Sequence, residues 1–171
     1  MAAFVDRVIG AAKLNVPTYE EVERDSNATG QAMGVVLLSS AAQAVGSSGY
    51  GATGLIWGMI SALSGWIIWS FLSYIIGTRL LPEPQTRSNL GELLRTTGFA
   101  SAPGILRIFA FVPIIGWFIS LLVLFWMLAA MVIAVRQALD YESTGRAVAV
   151  CLIGFAVNLI ALIVLSFFWI S

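Results

Sequence analysis

The chain has 171 residues, of which 59% are hydrophobic and 11% charged, and its formal net charge is zero. Soluble domains carry about 25% charged residues, so this composition excludes an ordinary water-soluble domain. The zero net charge and the lack of a basic stripe give no indication of a nucleic-acid partner. The sequence contains no histidine, which removes the commonest general base and metal ligand.

The apolar residues form long continuous runs, which predict membrane-spanning helices because each span must satisfy its own backbone hydrogen bonds. We predict an all-α polytopic bundle of five transmembrane helices with short interfacial helices at the N-terminus. The predicted spans cover about residues 28–45, 54–78, 98–115, 114–135 and 147–170.

Residues 1–27 form a polar head, predicted to be a cytoplasmic domain separate from the membrane domain 28–171. Apolar residues at helical spacing predict an amphipathic helix at the membrane surface: Phe4, Val5, Val8, Ile9 and Ala12. The stretch 15–17 interrupts this helix, and Thr18 with Glu21 matches a capping box for a second one. The head is either a solvated segment without a ligand or a docking surface.

The first predicted span is polar for a lipid-facing helix, so we expect it to pack against its neighbours. Its polar residues are Gln31, Ser39, Ser40 and Gln43. Two pairs of glycines at four-residue spacing predict close helix packing, within one bundle rather than at a dimer face. These glycines are Gly30, Gly34, Gly54 and Gly58.

The third predicted span contains Pro103, Gly104, Arg107 and Pro113. Each interior proline removes a helical hydrogen bond and frees the carbonyl four residues earlier, so the segment is either kinked or broken. Pro82 and Pro84, just after the second span, are expected to stop that helix. Asn89 and Glu92 match a cap that opens a short helix before the third span.

Basic residues give the orientation. With five spans, eight basic residues lie on one side and none in the opposite loops: Arg7, Lys13, Arg24, Arg79, Arg87, Arg95, Arg136 and Arg146. If the third segment were re-entrant, Arg136 and Arg146 would move to the opposite side, and six basic residues would stand against two. The positive-inside rule therefore favours a cytoplasmic N-terminus and a C-terminus on the far side.

Arg107 is the one charge inside a predicted span, at a cost of roughly 2.5–3.5 kcal/mol on insertion scales. One interpretation is an anion or lipid-headgroup site, in which carbonyls freed by Pro103 or Pro113 help to hold Arg107. The other is a structural role, in which the side chain reaches toward the interface or bonds to carbonyls. Asn158 in the last span is interpreted as a structural hydrogen-bonding residue between helices. No catalytic, cofactor-binding or metal-binding motif is present.

Three stretches resemble the Yip family of multi-pass membrane proteins, named for eukaryotic members that bind Ypt/Rab GTPases. They are VPTYEEVERD (16–25), LLRTTGFASAPGILRI (93–108) and the stretch from FVPIIGW to AVCLI (111–153). The resemblance implies a bacterial-type member with five spans and a cytoplasmic N-terminus. Eukaryotic members carry an Asp-Leu-Tyr-Gly-Pro motif near the first span, where this chain has SSAAQAVG (39–46), so no GTPase partner is expected.

These observations lead to two hypotheses. The first is a non-enzymatic scaffold or interaction protein of the bacterial inner membrane, which contacts the lipid bilayer and either membrane protein partners or further copies of itself. In this scaffold hypothesis, the head and the loop 79–97 bind the partners. The alternative is a small lipid- or anion-handling carrier built around Arg107 and the proline-broken third segment. An enzyme is not expected, because the residues for catalysis are missing, and no cofactor is implied.

Overall fold

The computed structural model describes residues 3–47, 51–112 and 115–170, without the side chains of 161, 162 and 164–170. The described residues form helices and connecting turns, with no strand among them. The α-helices are α1 (Phe4–Ala12), α2 (Val16–Arg24), α3 (Ala28–Gly46), α4 (Ala52–Ile75), α5 (Leu90–Phe99), α6 (Ile115–Ala138) and α7 (Thr144–Ile170). A π-helical turn (Ile76–Leu80) continues α4, and a 3-10 helix (Ala102–Phe111) lies between α5 and α6.

Two helices in the described part of the chain are long and apolar enough to cross a membrane. They are Ala52–Leu80, with mean hydropathy 1.7, and Ile115–Ala138, with mean hydropathy 2.8. At 1.5 Å per residue α6 is roughly 36 Å long, which exceeds a hydrocarbon core of about 30 Å. The predicted class, a membrane protein built from helices, is thus supported, whereas five spans stay a prediction.

The third predicted span is broken rather than continuous. Helix α5 ends at Phe99, and the chain continues from Ala102 as a 3-10 helix with Pro103 in its first turn. Pro103 has no N–H to continue an α-helix, and Gly104 N–H donates to the carbonyl of Ser101 at 2.9 Å. Ten residues make this 3-10 helix long for its kind. Pro113 lies outside the described residues.

Small residues set the close packing at the centre of the bundle, where the 3-10 helix packs against both α3 and α6. Ala32, Ala130 and Ala134 are fully buried there. A Cβ atom on Gly98 would lie 2.7 Å from the Cβ of Ala32, so α3 and α5 cross in near backbone contact. This crossing depends on residues without large side chains.

One end of the bundle, which we call the loop end, carries residues 76–92 and 136–146. Here the chain segments are joined by side chain to backbone bonds. The Tyr141 hydroxyl lies 2.9 Å from the carbonyl of Gly77 and 2.7 Å from that of Leu81. Arg146 donates to the carbonyl of Pro82 at 2.7 Å and lies 3.4 Å from Glu83. The opposite end, where α3 ends and α4 begins, is called the turn end.

Helices α1 and α2 form a hairpin that packs against the bundle. Arg7 is 2% exposed and is the hub of this hairpin. Its guanidinium lies 2.8 Å from both Glu21 and Asp25 and donates to the Gln31 side chain at 3.0 Å. The predicted Thr18–Glu21 capping box is wrong: α2 begins at Val16 and the Glu21 carboxylate accepts from Arg7 instead.

Side chains from the bundle satisfy the carbonyls at the ends of the hairpin helices. Trp126, near the middle of α6, donates its indole N–H to the carbonyl of Ala12 at 2.7 Å. Arg95 on α5 donates to the carbonyls of Val22 and Glu23 at the end of α2. The last carbonyls of a helix have no partner within it, so these bonds fix the head in place.

The head also carries a carboxyl group that titrates near neutral pH. Burial, together with the negative charges of nearby Asp140 and Glu92, raises the pKa of Glu23 to about 7. A carboxyl group whose pKa is higher in the folded state stabilises the fold below its unfolded pKa, and this contribution is lost as pH rises through about 7.

We expect Glu23→Gln to make the protein more stable than wild type at pH 8, by roughly 0.5–1 kcal/mol because partial exposure screens the charge. At pH 4, below the unfolded pKa, the two proteins should be equally stable. Thermal unfolding in detergent between pH 4 and pH 8 measures this, with Glu142→Gln, at an exposed position, as the matched control that keeps the wild-type slope. An unchanged slope in Glu23→Gln would show that another group controls the dependence.

Candidate functional site

A cavity of about 700 Å³ lies between helices α3 and α4 and is also lined by residues of α5, the 3-10 helix and α6. We call it the α3–α4 cavity. This volume falls in the range of roughly 300–1,000 Å³ of sites that hold small molecules. The cavity extends along α4 from Gly54 to Trp69.

Polar and apolar side chains both line the cavity. The polar ones carry hydroxyl or amide groups: Ser39, Ser40, Gln43, Ser61, Thr97 and Ser101. The large apolar ones are tryptophans and methionines: Trp57, Trp66, Trp69, Met127 and Met131. The low hydropathy of α3 thus has a structural cause, because most of its polar residues face this cavity.

Arg107 lies where the cavity approaches the turn end. Its guanidinium makes one hydrogen bond within the described part of the chain, from Nη1 to the side-chain oxygen of Gln43 at 2.9 Å. No carboxylate of the described residues lies within 4.0 Å of it. Arg7 and Arg146, by contrast, each pair with a carboxylate.

Arg107 and Gln43 also border a second cavity of about 580 Å³ on the other side of the pair. Gly46, Trp117 and Ser120 help to line it. The single Arg107–Gln43 hydrogen bond therefore lies between two cavities. Because Gln43 precedes the last residue of α3 by three positions, the pair lies roughly 4.5 Å from the turn end.

The indole N–H groups deeper in the cavity differ in their partners. Trp66 donates to the carbonyl of Leu94 at 3.1 Å. The N–H of Trp69 is buried and has no acceptor among the described residues. A buried donor without an acceptor costs about 1–3 kcal/mol, so the inner end of the cavity keeps one unused polar atom.

The structure places the other predicted polar-site residues around or away from this cavity. Pro103 and Gly104 are buried beside it, and Gly104 packs directly on Ser39 and Met127. Asn158 is half-buried on α7 and does not line either cavity. The predicted assistance of Arg107 by carbonyls freed at the prolines stays a prediction.

The four glycines predicted to pack helices make few close contacts within the chain. A Cβ on Gly30 would meet nothing within 4 Å of the described residues, and one on Gly34 would meet only the Phe4 ring at 4.0 Å. Gly54 and Gly58 line the α3–α4 cavity, and a Cβ on Gly58 would lie 3.9 Å from Ser40. The tight contacts occur instead at glycines that the spacing did not indicate, among them Gly46, Gly98, Gly104 and Gly116.

Sequence reasoning missed the role of Gln43 as the partner of Arg107. The available signal was the spacing of Ser39, Ser40 and Gln43, which brings three polar side chains to one region of an otherwise apolar helix. The described residues contain no group of three or more acidic, cysteine or histidine side chains that could hold a metal ion.

The described residues form long apolar helices around a cavity with polar and apolar lining, which defines a helical membrane protein. Within that class, the family model of the Yip1 domain matches residues 17–165. The chain therefore belongs to the Yip family. Comparison with curated proteins and with solved structures gave no match.

Proposed function

We propose that this Yip-family protein is a non-enzymatic scaffold, whose function is to bind partner proteins at the loop end and at the head. The observation that carries the proposal is the set of hydrogen bonds that join the segments of the loop end. Tyr141 and Arg146 hold segments from distant parts of the chain to one another there, and Arg95 on α5 holds the end of α2 in the head. A surface ordered before binding loses little conformational entropy when a partner docks.

Charged groups project from this ordered surface. The Arg24 side chain is 76% exposed, and Arg87, Asp140 and Glu142 are exposed as well. Exposed charges of both signs on a fixed frame favour specific, electrostatically matched association. Arg7, which pairs with Glu21, and Glu83, which pairs with Arg146, lie beneath this surface and hold its segments together.

The proposal includes a topology of five spans in a bacterial inner membrane, with the N-terminus and the loop end in the cytoplasm. Arg79, Arg136 and Arg146 belong to the loop end, and the head packs beside it. The positive-inside rule supports this orientation, because basic residues concentrate on that side.

Site-specific photo-crosslinking tests the scaffold. A photoreactive residue at Glu142 or Arg24 should give one protein adduct of defined mass in native membranes, and that partner should co-purify at fixed stoichiometry in mild detergent. An adduct with the mass of two copies would identify a homo-oligomer as the scaffold's partner. The matched control is Ile67, a 50% exposed residue on the apolar face of α4. Protein adducts that are equally frequent at Ile67, or absent at both loop-end positions, would contradict the proposal.

The α3–α4 cavity favours a second candidate function, a small lipid- or anion-handling carrier. It supplies space and one cation, Arg107, beside a proline-broken segment. No acidic residue lies in α3, α4, α6 or α7 to couple transport to protons, so a carrier of this kind would need to assemble with further copies.

A further inference from the structure

We propose that the α3–α4 cavity binds one anionic phospholipid, with its phosphate on Arg107 and Gln43 and an acyl chain along Trp57, Trp66 and Trp69. The inference rests on the second candidate function and goes further by assigning the ligand class and its direction in the site. The scaffold function proposed for the loop end does not depend on this lipid site.

Charge is the first argument. The other arginines buried in the bundle and head make several bonds each: Arg7 binds two carboxylates and an amide, and Arg95 binds two carbonyls. Arg107 binds one neutral amide oxygen and keeps most of its donors free for a ligand. Its fork of N–H donors matches two oxygens of a phosphate group, and such charge-assisted bonds are stronger than bonds to a neutral oxygen.

Depth is the second argument. Arg107 lies about one helical turn from the turn end, close to where a bilayer changes from hydrocarbon to headgroups. Trp57, 64% exposed on α4, lines the same part of the cavity, and tryptophan is enriched at the interface. A phosphate bound to Arg107 would therefore stay at headgroup depth while the rest of the lipid enters the bundle.

Shape is the third argument, and it distinguishes a lipid from a free anion. The cavity follows α4 over sixteen residues, from Gly54 to Trp69, or roughly 22 Å. Among its described lining residues Arg107 is the one cation, so most of its length offers nothing to a phosphate ion. Trp66, Trp69, Met127 and Met131 give this deeper part an apolar lining suited to a hydrocarbon chain.

The volume argues against a helix of a second copy as the occupant. A helix about 10 Å wide would fill roughly 1,700 Å³ over 22 Å of length. The cavity holds about 700 Å³. A flexible chain fits this space without moving α3 from α4.

The experiment measures lipid binding to the full chain by native mass spectrometry and by the thermal shift on adding lipid in detergent. The probes are phosphatidylglycerol, phosphatidylcholine and inorganic phosphate. Arg107→Leu should weaken phosphatidylglycerol binding roughly tenfold or more, because a charge-assisted contact is lost. Arg107→Lys should keep part of the affinity. Arg87→Leu, which removes an exposed arginine at the loop end, is the matched control and should bind as wild type.

A second variant tests the chain-binding part without touching the charge. Gly58→Leu places a side chain in the cavity where a Cβ meets only Ser40 at 3.9 Å, so folding should persist while the acyl chain is blocked. Loss of bound phosphatidylglycerol in both Gly58→Leu and Arg107→Leu supports the proposal. Equal binding in Arg107→Leu and Arg87→Leu overturns it. Full competition by inorganic phosphate alone, or equal preference for phosphatidylcholine, overturns it as well, in favour of a free-anion site and a nonspecific apolar groove respectively.

Discussion

Replacing Arg7 with methionine should release the N-terminal head from the bundle and lower the free energy of unfolding by about 2–3 kcal/mol. The Arg7 side chain is 3% exposed and is shared by Glu21, Asp25 and Gln31. Its loss leaves two carboxylates close together without a counter-charge. Because Glu21 remains 42% exposed, solvent limits the cost to less than that of a fully buried pair.

Hydrogen exchange across residues 1–27, together with thermal unfolding in detergent, measures this effect. The matched control is Arg24→Met, because the Arg24 guanidinium is 76% exposed and lies 3.6 Å from Glu20. A surface pair of this kind contributes about 0–1 kcal/mol. Wild-type exchange rates in the head of Arg7→Met would contradict the role of this residue as the hub.

Gly98→Leu should prevent normal packing of α5 on α3, with a cost of about 3 kcal/mol or more. The new side chain would start 2.7 Å from the Ala32 Cβ and 3.2 Å from its backbone, and backbone cannot move aside as a flexible side chain can. Gly98→Ala, with a single methyl group, should cost about 1–3 kcal/mol and remain measurable if the leucine variant fails to fold.

Size-exclusion profiles and melting temperatures in mild detergent give the readout for these variants. Gly30→Leu is the control, since its Cβ would meet nothing within 4 Å, and leucine has the higher helix propensity. We expect a monodisperse protein with a melting temperature close to wild type. If Gly30→Leu were as damaging as Gly98→Leu, a contact outside this chain would be responsible.

The features that the sequence predicts well are those set by local chemistry. Helices α4 and α6 follow from hydropathy and length alone. The break before Pro103 follows from a missing N–H, and the cap of α5 follows from the Asn89–Glu92 pair, whose reciprocal bonds measure 3.1 and 2.9 Å.

The features that the sequence does not predict depend on how helices rotate and lean. Glycine spacing indicated Gly30 as a packing residue, but the rotation of α3 turns Ala32 toward α5 instead. Glu21 matches a local capping box in the sequence, but its carboxylate accepts a hydrogen bond from the distant Arg7. Hydropathy identified the polar residues of α3, yet no pattern shows that α3 and α4 separate enough to form a cavity.

The bonds that hold the head also set when it can reach its final place during synthesis. The carbonyl of Ala12 has no partner until the indole of Trp126, 114 positions later, has been made. The carbonyls at the end of α2 have none until Arg95, more than 70 positions later, has been made. At 5–20 residues per second the first of these delays is on the order of 10 s. The N-terminal segment is thus made first and completed late, because the carbonyls at the end of α2 stay without their partner until α5 is made and the carbonyl of Ala12 until α6 is made.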